Sequence, residues 1–484
     1  ARAATLVAVA AGTAAAATGL ASRPALLVAG PTSFVDSPLS GIEARNSPAA
    51  VTHPSDPAVV VVAHRVDTPQ ISCGLSRSTD GGSAWQALEL PLAAAATNCY
   101  SPDVAFTPDG TLLVAYATTA GRFNLPAGLW LQAFRGPAPD GRPVAVAGDG
   151  AFYPRLATTG TQVVVTWVQA GPADTRGAGL GPGPNPVMAA RSTDGGRTFA
   201  PPVRVSDPSR RPIQPAVVAG DGGRVAIVAY DLADDRLNYE SLHLGQGGPA
   251  PPGRWRVVAW ASTDGGASFG PAVVVASFEI AERIYVDLAP APSVARDPQT
   301  GRLFSAWDGG RGDERTVFVA RSDDGGTTWR APVAVAPGPG AQYLPALAVG
   351  SGRVDVAFYD RRRDPLDRDV EVTFASSWDG GQTFATATAS DRPFNSRVGF
   401  GSLQGIPVLG TRLGLVAGSG HALAFWADTR RGTLDTNRQD VAVARVTVDA
   451  ARERQWPRFA AGLATAAAGV VGLVASRRPR RTGR

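Results

Sequence analysis

The chain has 484 residues, 44% of them hydrophobic, so it can bury a large core and is not a disordered protein. Its 56 glycines and 40 prolines predict many turns and favour an all-β protein over a helical one. The formal net charge is +5, but every basic side chain is an arginine and many of these lie in the last residues, so the charge does not indicate a nucleic-acid-binding protein.

The N-terminal segment, residues 1–23, is small and apolar, with Arg2 near its start. This composition is typical of a secretory signal segment, and a short N-terminal membrane helix is the alternative.

The C-terminal segment, residues 451–484, contains the uncharged stretch Phe459–Ser476, followed by an arginine cluster. A helix of this length rises about 27 Å, which just spans the apolar core of a bilayer. Arginines behind such a helix mark its cytoplasmic side. We therefore predict a transmembrane helix that anchors an extracytoplasmic, cell-surface protein in the plasma membrane, with a buried Ala/Gly-rich helix as the alternative.

Two cysteines, Cys73 and Cys99, are close in sequence. In an exported chain such a pair predicts a disulfide, and two cysteines supply too few ligands for a metal site. We expect no metal, no cofactor and a monomeric protein.

Residues 24–450 consist of seven similar units. Each unit begins with a proline and a short apolar strand, continues through a small turn into a second apolar strand that ends in an aromatic residue or His, and adds a third and a fourth strand. The leading prolines are Pro48, Pro102, Pro154, Pro215, Pro292, Pro345 and Pro407. Four short strands in every fifty residues or so are typical of propeller blades. The sequence thus predicts a seven-bladed β-propeller, with a six-bladed ring and one irregular unit as the alternative.

The seventh unit has only three strands. We expect residues Pro24–Pro31, which precede the first unit, to supply the missing outer strand. Pairing the two ends of the chain in this way closes the ring and removes an open sheet edge.

Five units share the pattern Ser-x-Asp-x-Gly-x-x-aromatic between their third and fourth strands; the aspartates are Asp80, Asp194, Asp264, Asp324 and Asp379. A short carboxylate can bind the amides of its own turn, and glycine supplies the positive φ that the turn needs. The second and seventh units lack the pattern, although Pro139–Arg142 is interpreted as a remnant. The pattern resembles the Asp-box (BNR) repeats of the sialidase superfamily over most of Pro48–Val448. The resemblance implies that these aspartates are structural and lie on the face away from the active site.

The same resemblance implies an arginine triad that binds the substrate carboxylate, a tyrosine nucleophile with a Glu partner, and an Asp acid/base. Guanidinium forks match a carboxylate in shape, and a tyrosine must lose its proton before it can attack. The family's Tyr/Phe-Arg-Ile-Pro motif is absent: the matching stretches at Tyr100, Tyr153 and Tyr343 lack its arginine.

Charged residues and tyrosines nevertheless concentrate where the second strands should end and the first strands should begin. The catalytic candidates are Asp360, Asp308, Tyr343, Tyr153 and Glu314, and the candidates for substrate binding are Arg65, Arg155, Arg311, Arg361, Arg362 and Arg430. The stretch Asp360–Asp364 carries three consecutive arginines and is expected to contact an anion. Because propellers bind ligands where their blades meet, we expect these residues to converge on one central pocket. The resemblance to sialidases implies an exo-glycosidase that acts on exposed glycans. The alternatives are a non-catalytic propeller that binds glycan or protein, and an assembly scaffold.

Overall fold

The computed structural model describes residues 27–35, 41–93, 96–121, 125–170, 184–232, 254–279, 291–311, 314–364, 366, 368–399 and 408–448. By its contacts the chain divides into a body, Ala29–Thr447, and a second unit formed by both chain ends. The signal-like segment 1–23 and the predicted anchor helix Phe459–Ser476 lie outside the described residues. Within the described ranges, no helix is long and apolar enough to cross a membrane.

The body is an all-β propeller of seven antiparallel sheets, numbered here as blades 1 to 7 in chain order, which confirms the predicted fold. From inner to outer, the strands of blade 1 are Arg45–Thr52, Val60–Val66, Ser72–Ser78 and Gln86–Ala87. Those of blade 2 are Tyr100–Phe106, Leu112–Ala120, Leu125–Arg135 and Ala138–Ala147. Those of blade 3 are Ala151–Thr159, Gln162–Gln169, Val187–Ser192 and Val203–Arg204. Those of blades 4 and 5 are Pro212–Gly220, Arg224–Asp231, Arg254–Ser262 and Val273–Glu279; and Ser293–Arg296, Leu303–Arg311, Glu314–Ser322 and Val333–Ala334. Blade 6 comprises Gln342–Gly350, Arg353–Asp360, Asp369–Ser377 and Ala385–Thr388, and the short strand Phe394–Asn395 also pairs with its third strand. Blade 7 comprises Gly414–Gly418, His421–Asp428, Asp440–Val448 and, outermost, Leu27–Ala29.

The core lies between the blades. Val163 and Val165 of blade 3, for example, pack in one buried cluster with Leu113 and Leu131 of blade 2. Because neighbouring blades cover both faces of each sheet, the second strands are nearly continuous apolar runs and do not alternate with polar residues. The strand Val60–Val66 is buried along its whole length.

The ring closes with residues from the N-terminal side of the chain, as predicted. Ser33 and Phe34 pair with Val443 and Ala442 of blade 7, and the amide of Gly30 donates to the carbonyl of Arg445 at 2.8 Å. The outer edge of blade 7 is therefore not left open.

Two sequence interpretations were wrong in detail. The inner strand of blade 7 is Gly414–Gly418 and does not begin at Pro407, which lies outside the described residues. The stretch Pro139–Arg142 is not a remnant turn, because the outer strand of blade 2 runs through Ala138–Ala147 and pairs Asp140 with Ala133. In both places the pattern of hydrogen-bonded strands overrides a short sequence match.

The leading prolines mark a bulge at the start of the inner strands. The residue before the proline has a φ of 49–54° in five blades, at Ser47, Ser101, Tyr153, Gln214 and Leu344. Such angles are uncommon for residues other than glycine and persist only where the surroundings enforce them. At each of these bulges the pairing with the second strand skips two residues, as between Phe152 and Arg155.

In two blades the side chain of the residue after the leading proline bonds to the next blade. In blade 2 this residue is Asp103, whose carboxylate accepts the amide of Leu156 in blade 3 at 2.9 Å. In blade 5 it is Ser293, whose hydroxyl accepts the amide of Leu347 in blade 6 at 3.0 Å. One edge of each inner strand has backbone groups without a strand partner, and these side chains accept hydrogen bonds from some of its amides.

The five Ser-x-Asp-x-Gly turns share one hydrogen-bond pattern. In blade 5 the hydroxyl of Ser322 donates to Asp324 at 2.8 Å and accepts the amide of Gly326 at 2.8 Å. The Asp324 carboxylate accepts the amides of Thr327 at 3.1 Å and Thr328 at 2.9 Å. The turns join the third strands to the outer strands, so they lie at the opposite end of the ring from the place where the second strands end. We call that latter end, where the inner strands also begin, the mouth face.

Candidate functional site

Three arginines from three different blades come together on the mouth face. Arg65 lies near the end of the second strand of blade 1, Arg155 follows the bulge of blade 3, and Arg412 precedes the inner strand of blade 7. We call them the arginine cluster. They are only 5%, 6% and 9% exposed, respectively.

Arg412 reaches from blade 7 across blade 1 to blade 2. Its Nη1 lies 3.2 Å from Oδ1 of Asp103, its Nε donates to the carbonyl of Ser47 at 3.3 Å, and its Nη2 donates to the carbonyl of Pro102. Burial lowers the pKa of Arg412; Asp103 opposes this shift and the charge of Arg65 adds to it. The guanidinium is therefore held in place by one carboxylate and by backbone carbonyls.

Arg155 is bound by neutral acceptors. Its guanidinium donates to Oε1 of Gln214 at 3.0 Å, to the carbonyl of Pro154 at 2.9 Å and to the hydroxyl of Ser101 at 3.5 Å. Burial and then the charge of Arg412 lower the pKa of Arg155 to about 9, against the opposing effect of Asp103, so the group is still protonated at neutral pH. The amide nitrogen of Gln214 is buried and has no hydrogen-bond acceptor among the described residues.

Arg65 joins two tyrosines to the cluster. Its Nη1 donates to the hydroxyl of Tyr100 at 2.9 Å, its Cζ lies 5.1 Å from the centre of that ring, and its Nε lies 2.6 Å from Oδ1 of Asp67. Although burial acts in the opposite direction, Asp67 and Tyr100 raise the pKa of Arg65. Tyr153 lies next to Tyr100, with their ring centres 6.2 Å apart. Burial, and then Tyr100, raise the pKa of Tyr153 well above its usual value, while Arg65 and Arg155 act to lower it.

The arginine cluster carries more positive than negative charge. Asp67 pairs with Arg65 and Asp103 pairs with Arg412, whereas Arg155 donates only to neutral groups. Burying a charge without a partner is costly, and an anion at this place would reduce the cost. The predicted residues Arg65, Arg155 and Tyr153 are thus brought together.

A second group of predicted residues lies on blades 5 and 6. Tyr343 is buried, with Cζ of Arg361 at 5.3 Å and Cζ of Arg315 at 5.7 Å from its ring centre. Arg315 also forms an ion pair with Asp308, whose Oδ1 accepts the amide of Leu344 at 3.2 Å. The structure therefore brings together the predicted residues Tyr343, Asp308 and Arg361, with Arg315 in addition.

The arginines of the stretch Asp360–Asp364 are already engaged by other groups. Arg361 donates to the hydroxyl of Ser396 at 2.6 Å, and Arg362 forms an ion pair with Asp360 at 2.6 Å. The Arg363 side chain is 74% exposed and lies 3.2 Å from Glu371. Two of the three arginines thus pair with carboxylates, whereas Arg361 contacts a hydroxyl and the ring of Tyr343.

Five predicted residues are not assigned to either group: Asp360 and Arg362, which pair with each other, and Arg430, Arg311 and Glu314. Arg430 lies at the outer side of blade 7, where it pairs with Asp428 at 2.8 Å and Asp391 at 2.5 Å and stands 5.9 Å from the ring of Phe34. Arg311 and Glu314 pair with each other as the last and first residues of neighbouring strands in blade 5. Their side chains lie outside the described part of the chain.

Sequence reasoning missed Arg412, Asp103 and Gln214. Asp103 occupies the same place after a leading proline as Arg155, and Gln214 comes directly before one, so the proline itself was the available signal. Arg412 gave no such signal, because blade 7 has Leu413 where blade 6 has Pro345.

A cleft of about 550 Å³ lies between blades 2 and 3 on the face opposite the mouth. Two of the aspartates that line it already have partners within the protein: Asp194 accepts amides of its own turn, and Asp140 pairs with Arg135 at 2.7 Å. In the part of the chain that the structure covers, no group of three or more His, Cys, Asp or Glu residues could hold a metal ion. The arginine cluster is therefore the stronger candidate site.

Comparison with known proteins gives one match in sequence. The chain is similar to a sialidase of Micromonospora viridifaciens, with 29% identity over 243 residues. The resemblance to sialidases is confirmed. The match covers 44% of this chain and 33% of that enzyme, so the chain spans about a third of the curated relative's length. No family model matches the sequence.

Solved structures with a similar arrangement of strands are distant in sequence. A protein of unknown function from Dyadobacter fermentans is 15% identical, with 87% of this chain and 99% of that chain covered and a TM-score of 0.48. A PL25 ulvan lyase is 12% identical, with 86% and 95% covered and a TM-score of 0.49. A Hadza microbial sialidase is 16% identical, with 84% and 67% covered and a TM-score of 0.44.

Proposed function

We propose that the protein is a glycan-processing propeller whose arginine cluster binds the carboxylate of an acidic sugar, and that it acts as a sialidase-like exo-glycosidase. The observation that carries the proposal is the charge of the cluster. Three guanidinium groups from three blades share two carboxylates, and each retains a small exposed area.

The donors of the cluster suit a carboxylate. Arginine presents paired N–H groups that match the two oxygens of a carboxylate, and hydrogen bonds between charged groups are about twice as strong as neutral ones. Partial exclusion of water strengthens such contacts further. The amide nitrogen of Gln214 beside Arg155 adds a donor that a sugar oxygen can use.

The catalytic assignments within this proposal rest on the second group. Glycoside hydrolysis with a tyrosine nucleophile needs a phenol that can lose its proton and a carboxyl group that can transfer one. Tyr343, whose ring contacts the guanidinium groups of Arg315 and Arg361, and Asp308 are the pair we assign to these roles. Tyr153 suits the role less well, because burial raises its pKa.

A non-catalytic binding propeller is the second candidate, and one observation favours it. Among the described residues, the mouth-face carboxylates Asp67, Asp103, Asp308 and Asp360 all pair with arginine. A carboxylate held in this way is a poor proton donor, because its neighbour favours the charged form. Such a site can bind an acidic sugar without cleaving it.

We also propose that the protein works outside the cytoplasm, at the surface of the cell. Its two cysteines form a disulfide with a Cα–Cα distance of 5.4 Å, and disulfides persist in oxidising compartments.

One experiment separates the two candidates. The full chain is incubated with fluorogenic α-sialosides, β-glucuronides and neutral β-galactosides, and the binding of the corresponding monosaccharides is measured by calorimetry. The enzyme proposal expects binding and turnover of an acidic glycoside only. Binding of an acidic sugar without turnover would favour the binding module, and no preference for acidic sugars would contradict both.

A further inference from the structure

The disulfide lies directly behind the contact between Arg65 and Tyr100. Cys73 is the cross-strand partner of Arg65 in blade 1, and Cys99 is the residue before Tyr100 in blade 2. The two half-cystines therefore adjoin, by strand register and by chain connection, the two residues that meet at 2.9 Å.

The contact between Arg65 and Tyr100 crosses from one blade to the next. Arg65 belongs to the second strand of blade 1, whereas Tyr100 is the first residue of the inner strand of blade 2. Next to Tyr100 the bulge begins at Ser101, with a φ of 51°, and the register shifts before Asp103. The start of this strand is thus held by a strained backbone and a side-chain contact, and the disulfide adds a covalent tie at the same point.

Displacement of Tyr100 would reach the rest of the cluster. Its ring packs beside that of Tyr153, and Arg155 donates to the hydroxyl of Ser101, the residue that follows Tyr100. The segment Tyr100–Asp103 therefore contacts all three arginines: Tyr100 binds Arg65, Ser101 binds Arg155 and Asp103 binds Arg412. A small shift at Cys99 would move the acceptors of all three arginines together.

We propose that the Cys73–Cys99 disulfide is a positioning element of the acidic-sugar site, fixing Tyr100 against Arg65 and, through Tyr100, the alignment of the arginine cluster. This inference rests on the proposed function of the cluster for its effect on binding, but not for its effect on Tyr100. The disulfide does not contact the ligand; it sets the distance between two groups that do.

The test compares the full chain with and without the disulfide. The disulfide is removed either in the double variant C73S/C99S or by treating the wild type with dithiothreitol. The protein is labelled with 3-fluorotyrosine, and the fluorine resonance of Tyr100 is assigned by its loss in Tyr100→Phe among the eight tyrosines. We expect this resonance to shift and the affinity for the acidic sugar to fall about tenfold, since small displacements in a preorganised site have large effects. Reoxidation of the wild type should restore both.

Asp324→Ala is the matched control, because it weakens a turn on the opposite face without touching the cluster. It should leave the Tyr100 resonance and the affinity unchanged at a temperature where every variant is folded. An equal loss of affinity in this control, or no change in resonance and affinity after reduction, would overturn the positioning role. If the wild type binds no acidic sugar, the proposed function fails, and the resonance alone decides whether the disulfide positions Tyr100.

Discussion

In two blades the inner strand starts too far along to pair with the end of the second strand. A tyrosine hydroxyl from the preceding blade bonds to the second-strand backbone there instead. In blade 7 the inner strand starts at Gly414, opposite Phe425, so it does not reach Ala427. The hydroxyl of Tyr359 in blade 6 accepts the amide of Ala427 at 3.0 Å and donates to its carbonyl at 3.1 Å. Tyr230 in blade 4 makes the same pair of bonds with Asp308 in blade 5, at 3.1 and 3.2 Å.

The substitution Tyr359→Phe removes this bridge while keeping the ring. Tyr359 and Ala427 are both completely buried, so water cannot replace the lost hydroxyl without rearrangement. Each unsatisfied buried group costs about 1–3 kcal/mol, and two groups are left, so we expect the free energy of unfolding to fall by about 2–6 kcal/mol. The loss should be visible as a lower urea midpoint with an unchanged slope, followed by tryptophan fluorescence.

Tyr230→Phe is the internal repeat of this experiment, because the same bridge occurs at a second joint between blades. A loss below about 0.5 kcal/mol in both variants would refute the reasoning that these hydroxyls replace missing strand partners. A change in slope would instead indicate that the unfolding reaction itself had changed.

Three further predictions concern the turns and the ring closure. Asp324→Ala should lower the unfolding free energy by about 1 kcal/mol, because the exposed amides of its turn can bind water instead, and sugar affinity should not change. Hydrogen bonds from Ser268 lower the pKa of Asp264 to about 2, and those at Asp194 outweigh the opposing effect of burial to give about 2 as well. A carboxylate whose pKa is lower in the folded state stabilises the fold above its unfolded pKa, so stability measured by urea titration should fall as pH drops from about 4 to 2. Phe34→Ala should cost about 1–2 kcal/mol, because the ring is half-buried against blade 7 and Arg431 stands 3.7 Å above it.

Each of these predictions has a clear contrary result. Altered sugar affinity in folded Asp324→Ala would assign the turn a role in the site. A stability that is flat between pH 4 and 2 in the wild type, or a loss that persists unchanged in Asp264→Asn, would contradict the linkage. An unchanged unfolding free energy in Phe34→Ala would mean that the N-terminal strand does not stabilise the closed ring.

Much of the fold could be predicted because its signals are local. The Ser-x-Asp-x-Gly turns use hydrogen bonds within a few residues, and the blade strands are continuous apolar runs at a regular period. The disulfide between Cys73 and Cys99 followed from counting cysteines, and the closure of blade 7 by residues of Pro24–Pro31, where Gly30 bonds to Arg445, followed from counting strands.

The site could be predicted only in part, because its contacts join residues that are distant in sequence. Arg155 and Asp103 share a place after the leading proline, but their relation to Arg412, some 300 residues later, depends on the closure of the ring. Arg430 comes just after the second strand of blade 7, and Arg65 lies near the end of the second strand of blade 1. Unlike Arg65, Arg430 points to the outer side of its blade, where it contacts Asp391 and Phe34. A sequence pattern places residues along a strand, and only the packed ring decides which of them meet.

The central claim is that the arginine cluster binds an acidic sugar, and Arg155 is the residue at which to test it. Its partners are neutral, so Arg155→Met removes one charge without leaving a carboxylate unpaired. Titration of the wild type and this variant with an acidic and a neutral monosaccharide should show about a hundredfold loss of affinity for the acidic sugar alone, with no rescue in Arg155→Lys. The exposed Arg363→Met is the control and should bind as the wild type does. Equal binding of the acidic sugar by the wild type and Arg155→Met would contradict the account.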